Sequence, residues 1–201
     1  TVNVGGFPYA ITTLGTKVYV ASEGKGNVSI IDTANGNSVS AVNVGFFPSA
    51  MIALGSKVYV ANESDGTVSV IDTANGNSIS TISVGAAPKA LITLGKKVFV
   101  VNSGKGTVSI INTASGNSVS TVAVGQSSNT GPAITTLGSK VYVTNSNDDT
   151  VSVIDTANGN SVSTIAVGNM PKAIAVLGSK VYVANIADDT VSIIDTANGN
   201  S

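Results

Sequence analysis

The chain of 201 residues contains no cysteine, no histidine and no tryptophan, and all ten of its basic residues are lysine. Each absence removes a class of chemistry. Without cysteine there is no disulfide framework and no thiol nucleophile, and cysteine usage carries no information about redox compartment. Without histidine there is no Ser-His-Asp triad, and with both types missing there is no zinc site of the usual ligands. A net charge of −1 with no arginine gives no basic footprint for nucleic acid. Charged residues are scarce too, at 10% against about 25% in an ordinary soluble domain. The longest apolar runs, such as residues 173–177, fall far short of the roughly 18 residues a membrane span requires, and no stretch has the pattern of a signal peptide. What is present in quantity is apolar and small. A hydrophobic fraction of 42% excludes a disordered chain and is enough for one domain with a real core.

That apolar content is organised by repetition. A Val-Tyr-Val-Ala-Asn string or a close variant starts at Val18, Val58, Val98, Val141 and Val181, and Ile-Asp-Thr-Ala-Asn-Gly-Asn-Ser or a variant starts at Ile31, Ile71, Ile111, Ile154 and Ile194. The units are residues 1–40, 41–80, 81–120, 121–163 and 164–201. The fourth is longer because residues 126–131 extend one loop, and the fifth stops two residues short of 40. No linker or composition shift separates them, which predicts a single repeat domain.

Each unit reads as four short strands. In the second, Val58 and Val60 alternate with Tyr59 and Ala61, and Val68 and Val70 alternate with Ser69 and Ile71. This period of two with β-branched residues is the strand signature. Asn75-Gly76 and its equivalents predict a two-residue hairpin, because both residues tolerate positive φ. Four antiparallel strands every 40 residues predict a propeller blade. A parallel β-helix is the rival, but its coils are shorter and need no tight hairpin at a fixed place. The expected fold is therefore all-β: a five-bladed β-propeller of four-stranded antiparallel blades. Residues 1–4 (Thr1, Val2, Asn3 and Val4) match the strand that is missing after the last turn. They are expected to close the ring beside residues 191–195, giving a monomer with no open edge.

The units also resemble the YVTN family of β-propeller repeats of archaeal and bacterial surface-layer and other cell-surface proteins. The resemblance rests on Val141-Tyr142-Val143-Thr144-Asn145, on Thr150-Val151-Ser152-Val153-Ile154-Asp155-Thr156, and on the Val44-Gly45 step with Pro48. It implies a cell-surface or extracellular location and a structural or interaction role. The number of units departs from the seven-bladed rings better known in that family.

Candidate sites follow from comparing the five units with one another. The turns at Leu54-Gly55-Ser56-Lys57 and the Asn-Gly turns are nearly uniform, whereas the loops before each proline and those at residues 23–26, 63–66, 103–106, 146–149 and 186–189 vary. Strand alternation puts both variable loop types on one face, the better place for a binding surface. Phe7, Tyr9, Phe46 and Phe47 could stack on a sugar or anchor a protein, or simply fill a gap between blades. Lys89, Asn129, Met170 and Lys172 lie in or beside the same loops. Asp148, Asp149, Asp188 and Asp189 could supply oxygen ligands for Ca²⁺, although their spacing matches no EF-hand loop and Asp is common at loop tips. The Asp32, Asp72, Asp155 and Asp195 set, with Asn112 in the third unit, is expected to bond turn backbone. No residue stands out as a catalytic base. Three functions remain open: a non-enzymatic scaffold for a protein or glycan partner, a designed or recently amplified array with no evolved activity, and a calcium-dependent lactonase or lyase.

Overall fold

In a computed structural model that describes residues 1–127 and 131–198, the chain forms five antiparallel sheets in sequence order. Blade 1 is β1 (Pro8–Leu14), β2 (Lys17–Ser22), β3 (Asn27–Asp32) and β4 (Ser38–Asn43). Blade 2 is β5 (Pro48–Leu54), β6 (Lys57–Asn62), β7 (Thr67–Asp72) and β8 (Ser78–Ser83), and blade 3 is β9 (Pro88–Leu94), β10 (Lys97–Asn102), β11 (Thr107–Asn112) and β12 (Ser118–Ala123). Blade 4 is β13 (Ile134–Leu137), β14 (Lys140–Asn145), β15 (Thr150–Asp155) and β16 (Ser161–Ala166); blade 5 is β17 (Pro171–Leu177), β18 (Lys180–Asn185) and β19 (Thr190–Asp195). The first strand of each blade packs on the first strand of the next, so β1, β5, β9, β13 and β17 form the inner wall.

The core lies between blades, and this explains the composition. In blade 2, Val58, Val60 and Ile71 pack against Tyr19, Ala21, Val28 and Ile30 of blade 1. The opposite face, with Tyr59, Val68 and Val70, packs against Val98, Val100 and Ile111 of blade 3. Both faces of a blade are thus buried, so the strand alternation separates two apolar sets rather than apolar from polar, and charge is left to the strand ends and the loops. Blades 3 and 4 join through Phe99 and Val101 against Val141 and Val143, and blades 4 and 5 through Tyr142 and Val151 against Val181 and Val183.

The structure departs from expectation at two places. The hairpin between β7 and β8 is not a two-residue turn on Asn75-Gly76. The tight turn falls one residue later, on Gly76 and Asn77 at φ 61° each, with Ser78 N–H donating to Asn75 C=O at 3.0 Å. The cause is Asp72, whose Oδ1 accepts from Ala74 N–H at 3.2 Å and draws the chain into an extra turn before the hairpin closes. Asp32, Asn112, Asp155 and Asp195 make the same bond in their own blades. The second departure is at the ends. Residues 1–4 form no strand, and among the described residues blade 5 has three strands with β19 at its edge. The expected pairing of residues 1–4 with β19 is absent among the described residues.

Candidate binding face

Hydrogen bonds place the two variable loop types together. In blade 2, Phe46 N–H donates to Asp65 Oδ2 at 2.8 Å, and Glu63 N–H donates to Phe47 C=O at 2.9 Å. Equivalent backbone bonds run from Glu23 to Phe7, from Ser103 to Ala87 and from Ile186 to Met170. Beneath them Gly45 approaches Asn62 and Asp65 so closely that a Cβ there would collide with both. The loop before the proline is therefore clamped from below by the loop after the second strand.

The clamp holds one residue in each of these loops in the left-handed region: Phe7, Phe47, Ala87 and Met170 have φ between 51° and 56°. A bulky L-residue there costs roughly 1–2 kcal/mol, and such residues persist only where the surroundings impose them. Sequence reading missed this, because the signal for positive φ is Gly or Asn and neither stands there. Of these residues Phe7 and Phe47 are 79% and 51% exposed, and their neighbours Phe46 and Tyr9 are 67% and 65% exposed. By contrast Tyr19, Tyr59, Phe99 and Tyr142 are buried between blades. Phe7, Tyr9, Phe46 and Phe47 thus fill no gap between blades; they stand on the rim of blades 1 and 2.

The remaining candidates have other surroundings. Lys89 Nζ lies 3.0 Å from Glu63 Oε1, Lys172 Nζ donates to Gly131 C=O at 3.4 Å, and Met170 is 40% exposed on the rim of blade 5. Asn129 lies outside the described residues. Asp148 Oδ2 accepts from Gln126 N–H and Asp188 Oδ2 from Asn169 N–H, each at 2.6 Å, while Asp149 Oδ1 accepts from Met170 N–H at 2.9 Å. Donation by the Asn169 backbone, and then by its side-chain amide, holds the Asp188 carboxyl below the usual range, against a smaller opposing effect of burial. Asp149 and Asp189 occupy the left-handed position that Gly26, Gly66 and Gly106 fill in the other blades. The carboxylates of Asp148, Asp149 and Asp188 are thus parts of the loop clamp, and no three acidic residues come together as a metal site among the described residues.

A further device escaped sequence reading. The fully buried Asn62 donates Nδ2 to Thr67 Oγ1 and Ser69 Oγ, each at 2.9 Å. Asn102, Asn145 and Asn185 do the same with the Thr and Ser five and seven residues on. The signal was available as an Asn-x4-Thr-x-Ser spacing in four of the five units.

The family described as outer membrane protein assembly factor BamB matches residues 104–201. None of the curated protein sequences matches the chain. Among solved structures the chain is similar to a streptogramin B lyase, at TM-score 0.71 and 13% identity, covering 94% of this chain and 69% of that one. It is similar to a virginiamycin B lyase from Staphylococcus aureus, a catalytically inactive variant in which a histidine is replaced by alanine, with quinupristin; the TM-score is 0.73, the identity 14%, and the coverage 92% of this chain and 65% of that one. It is also similar to BamB from Moraxella catarrhalis, at TM-score 0.68 and 18% identity, covering 94% and 59%. At such identities the likeness shows the fold, and the chain spans roughly two thirds of the length of these proteins. The resemblance to YVTN surface-layer repeats is corrected by the BamB match, which includes both of the motif runs that suggested it. The physical reason is visible in blade 4. Val141, Tyr142 and Val143 fill the two faces of the blade, and Asn145 ties Thr150 to Ser152. These residues are what a blade of this shape needs, so they identify the architecture and not one family that uses it.

Proposed function

We propose that the chain is a non-enzymatic propeller scaffold in the cell envelope or outside the cell, and that it binds a partner protein through the rim of blades 1 and 2. The observation that carries this reading is the group Phe7, Phe46 and Phe47, exposed on loops whose backbone is clamped before any partner arrives, with Tyr9 exposed beside them at the start of β1. Rigid aromatic anchors on a pre-formed loop are the usual energetic centre of a protein interface, because little ordering entropy is lost on binding. The match to an outer-membrane assembly factor supports the envelope setting. A non-enzymatic role is supported by composition: one similar lyase is described as inactive once a histidine is replaced, and this chain has no histidine.

The test is site-specific photo-crosslinking in an envelope extract. A photoreactive phenylalanine analogue at position 46 is expected to give discrete protein adducts. The same analogue at Ser56, on the opposite face, is expected to give none, and Phe7→Ser with Phe47→Ser should abolish the adducts from position 46. Equal adducts from both faces would refute the reading, and saturable binding of a glycan at position 46 would replace the protein partner with a carbohydrate.

A further inference from the structure

The turns on the face opposite the rim are nearly uniform, and their few differences fall together. Four units read Gly-Ser-Lys or Gly-Thr-Lys between the first two strands and Asp-Thr-Ala-Asn-Gly-Asn-Ser after the third. Blade 3 departs three times: Lys96 stands for the hydroxyl residue, Asn112 for aspartate and Ser115 for asparagine. Changes that drift freely after duplication scatter over the copies, whereas these share one blade and one end of it. Two of them act in the same direction, since a lysine is gained and a carboxylate is lost.

The backbone beneath these changes is that of the other blades. Lys96 C=O accepts from Thr113 N–H at 3.0 Å and from Thr113 Oγ1 at 2.8 Å, in the way Ser56 accepts from Thr73 and Ser139 from Thr156. Charge is what differs. Lys17, Lys57 and Lys180 each pair with the aspartate of their own blade, Asp32, Asp72 and Asp195. Lys97 stands opposite Asn112 in the β10–β11 pair, and its Nζ donates instead to Asn160 Oδ1 of blade 4 at 3.4 Å. Among the described residues no carboxylate pairs with Lys96 or Lys97, and Lys96 is exposed.

Lys96 also borders a cleft. The joint between blades 2 and 3 opens on this face as a space of about 510 Å³, lined by Leu54, Lys57 and Tyr59 of blade 2 and by Lys96, Thr113 and Asn117 of blade 3. The clefts between blades 1 and 2 and between blades 4 and 5 hold one lysine each, Lys17 and Lys140, and have Ser56 and Ser179 where Lys96 stands. The first of these reaches only Thr73 of the neighbouring hairpin. The blade 2–3 cleft runs on over Gly116 and Asn117, next to the shorter Ser115. Its size is that of a site for a small molecule. Of its two ammonium groups, that of Lys57 is matched by Asp72, so one positive charge is left for a ligand. That complement suits a single carboxylate better than a phosphate dianion. Leu54 offers an apolar surface, and Ser56, Thr113 and Asn117 offer polar groups around it.

We propose that this cleft binds a small hydroxylated carboxylate of the sugar-acid type. Lys96 Nζ pairs with the carboxylate as a compact point charge, the body of the ligand lies over Leu54, and Ser56, Thr113 and Asn117 exchange hydrogen bonds with its hydroxyls. The site is on the face opposite Phe7 and Phe46, so it is independent of any partner at the rim.

The test is NMR titration of the isotope-labelled full chain with D-glucuronate, with D-glucose as the neutral probe and inorganic phosphate as the bare anion. Glucuronate is expected to shift the amides of Lys96, Thr113 and Asn117 saturably and to leave those of Thr16 and Ser139 in place. Lys96→Ser restores the residue type of the other four units, so the fold is kept. It is expected to weaken binding about fivefold, the worth of one exposed ion pair. Lys105→Ser, the same loss of charge in a rim loop, is expected to leave binding unchanged. Glucose shifts as large as those of glucuronate would overturn the role of the carboxylate, and equal shifts with phosphate would reduce the cleft to general attraction of anions. A wild-type chain with no saturable shift, or an affinity that Lys96→Ser leaves unchanged, would overturn the site itself.

Discussion

Blade 1 lacks the asparagine clamp, and the defect can be repaired. Where blades 2–5 place Asn62, Asn102, Asn145 and Asn185, blade 1 has Ser22, whose buried hydroxyl has no hydrogen-bond partner. The buried Oδ1 of Asn27, at the position of Thr67, has none either. Ser22→Asn would direct an amide at Asn27 Oδ1 and Ser29 Oγ, and Gly5 leaves the same room above it that Gly45 leaves above Asn62. The change removes two unsatisfied buried groups and introduces one, the amide oxygen that is also unpartnered in Asn62 and its equivalents. It adds two hydrogen bonds, each contributing about 0.5–1.5 kcal/mol. The expected gain is about 1–2 kcal/mol, or about 3–6 °C in Tm for a chain of this size. The reverse change, Asn145→Ser, removes two hydrogen bonds of 2.9 Å and should cost a similar amount. Urea unfolding followed by far-UV CD reads the total. Amide exchange in β2 and β3 reads the local effect, since blades in a repeat array couple mainly to their neighbours. If Ser22→Asn leaves both unchanged and Asn145→Ser is equally silent, the clamp contributes nothing and the reasoning fails.

Three smaller outcomes follow from the same geometry. Tyr142→Phe should be neutral or stabilising by about 1 kcal/mol, because the Tyr142 hydroxyl is buried without a partner and Phe99 already fills the equivalent site; a loss on thermal melting would show a partner for that hydroxyl. Asp188 has a folded pKa below its unfolded value, owing first to the Asn169 N–H, so its contribution is present above the ordinary carboxylate pKa and is lost as pH falls below about 4. Asp188→Asn should therefore flatten the acid limb of a urea-midpoint profile between about pH 5 and 3, and an unchanged limb would count against the bond. At the β6–β7 pair, Lys57→Met should raise the Asp72 carboxyl toward its ordinary value, since donation by Lys57 is the main cause of its lowering; NMR titration of the Asp72 carboxylate checks it.

The strands were legible because they depend on local pattern: Lys57–Asn62 and Thr67–Asp72 fall where the alternation of valines places them. The sharing of one face by the variable loops was legible for the same reason, since it needs only strand direction. What could not be read depends on contacts between segments. Phe47 has no sequence mark of a left-handed residue; it is forced there by a bond from Glu63 and by the approach of Gly45 to Asn62. The acidic quartet suggested a cation because its four members are alike in charge, but Asp148 and Asp188 bond loop amides and Asp149 and Asp189 replace glycines. Ring closure by residues 1–4 was a matter of matching strand types, and a match in type does not bring two edges together: among the described residues, β19 pairs with β18 alone.

The loop clamp separates shape from recognition. At its tip, the bonds that fix the backbone use the carbonyls of Phe7, Phe47, Ala87 and Met170 and never their side chains. Phenylalanine, alanine and methionine consequently occupy the same conformation in four blades of one molecule. A position whose backbone is set independently of its side chain works as a socket. The residue presented to solvent can be exchanged blade by blade, and the face can acquire a new specificity without any change in the sheet beneath it.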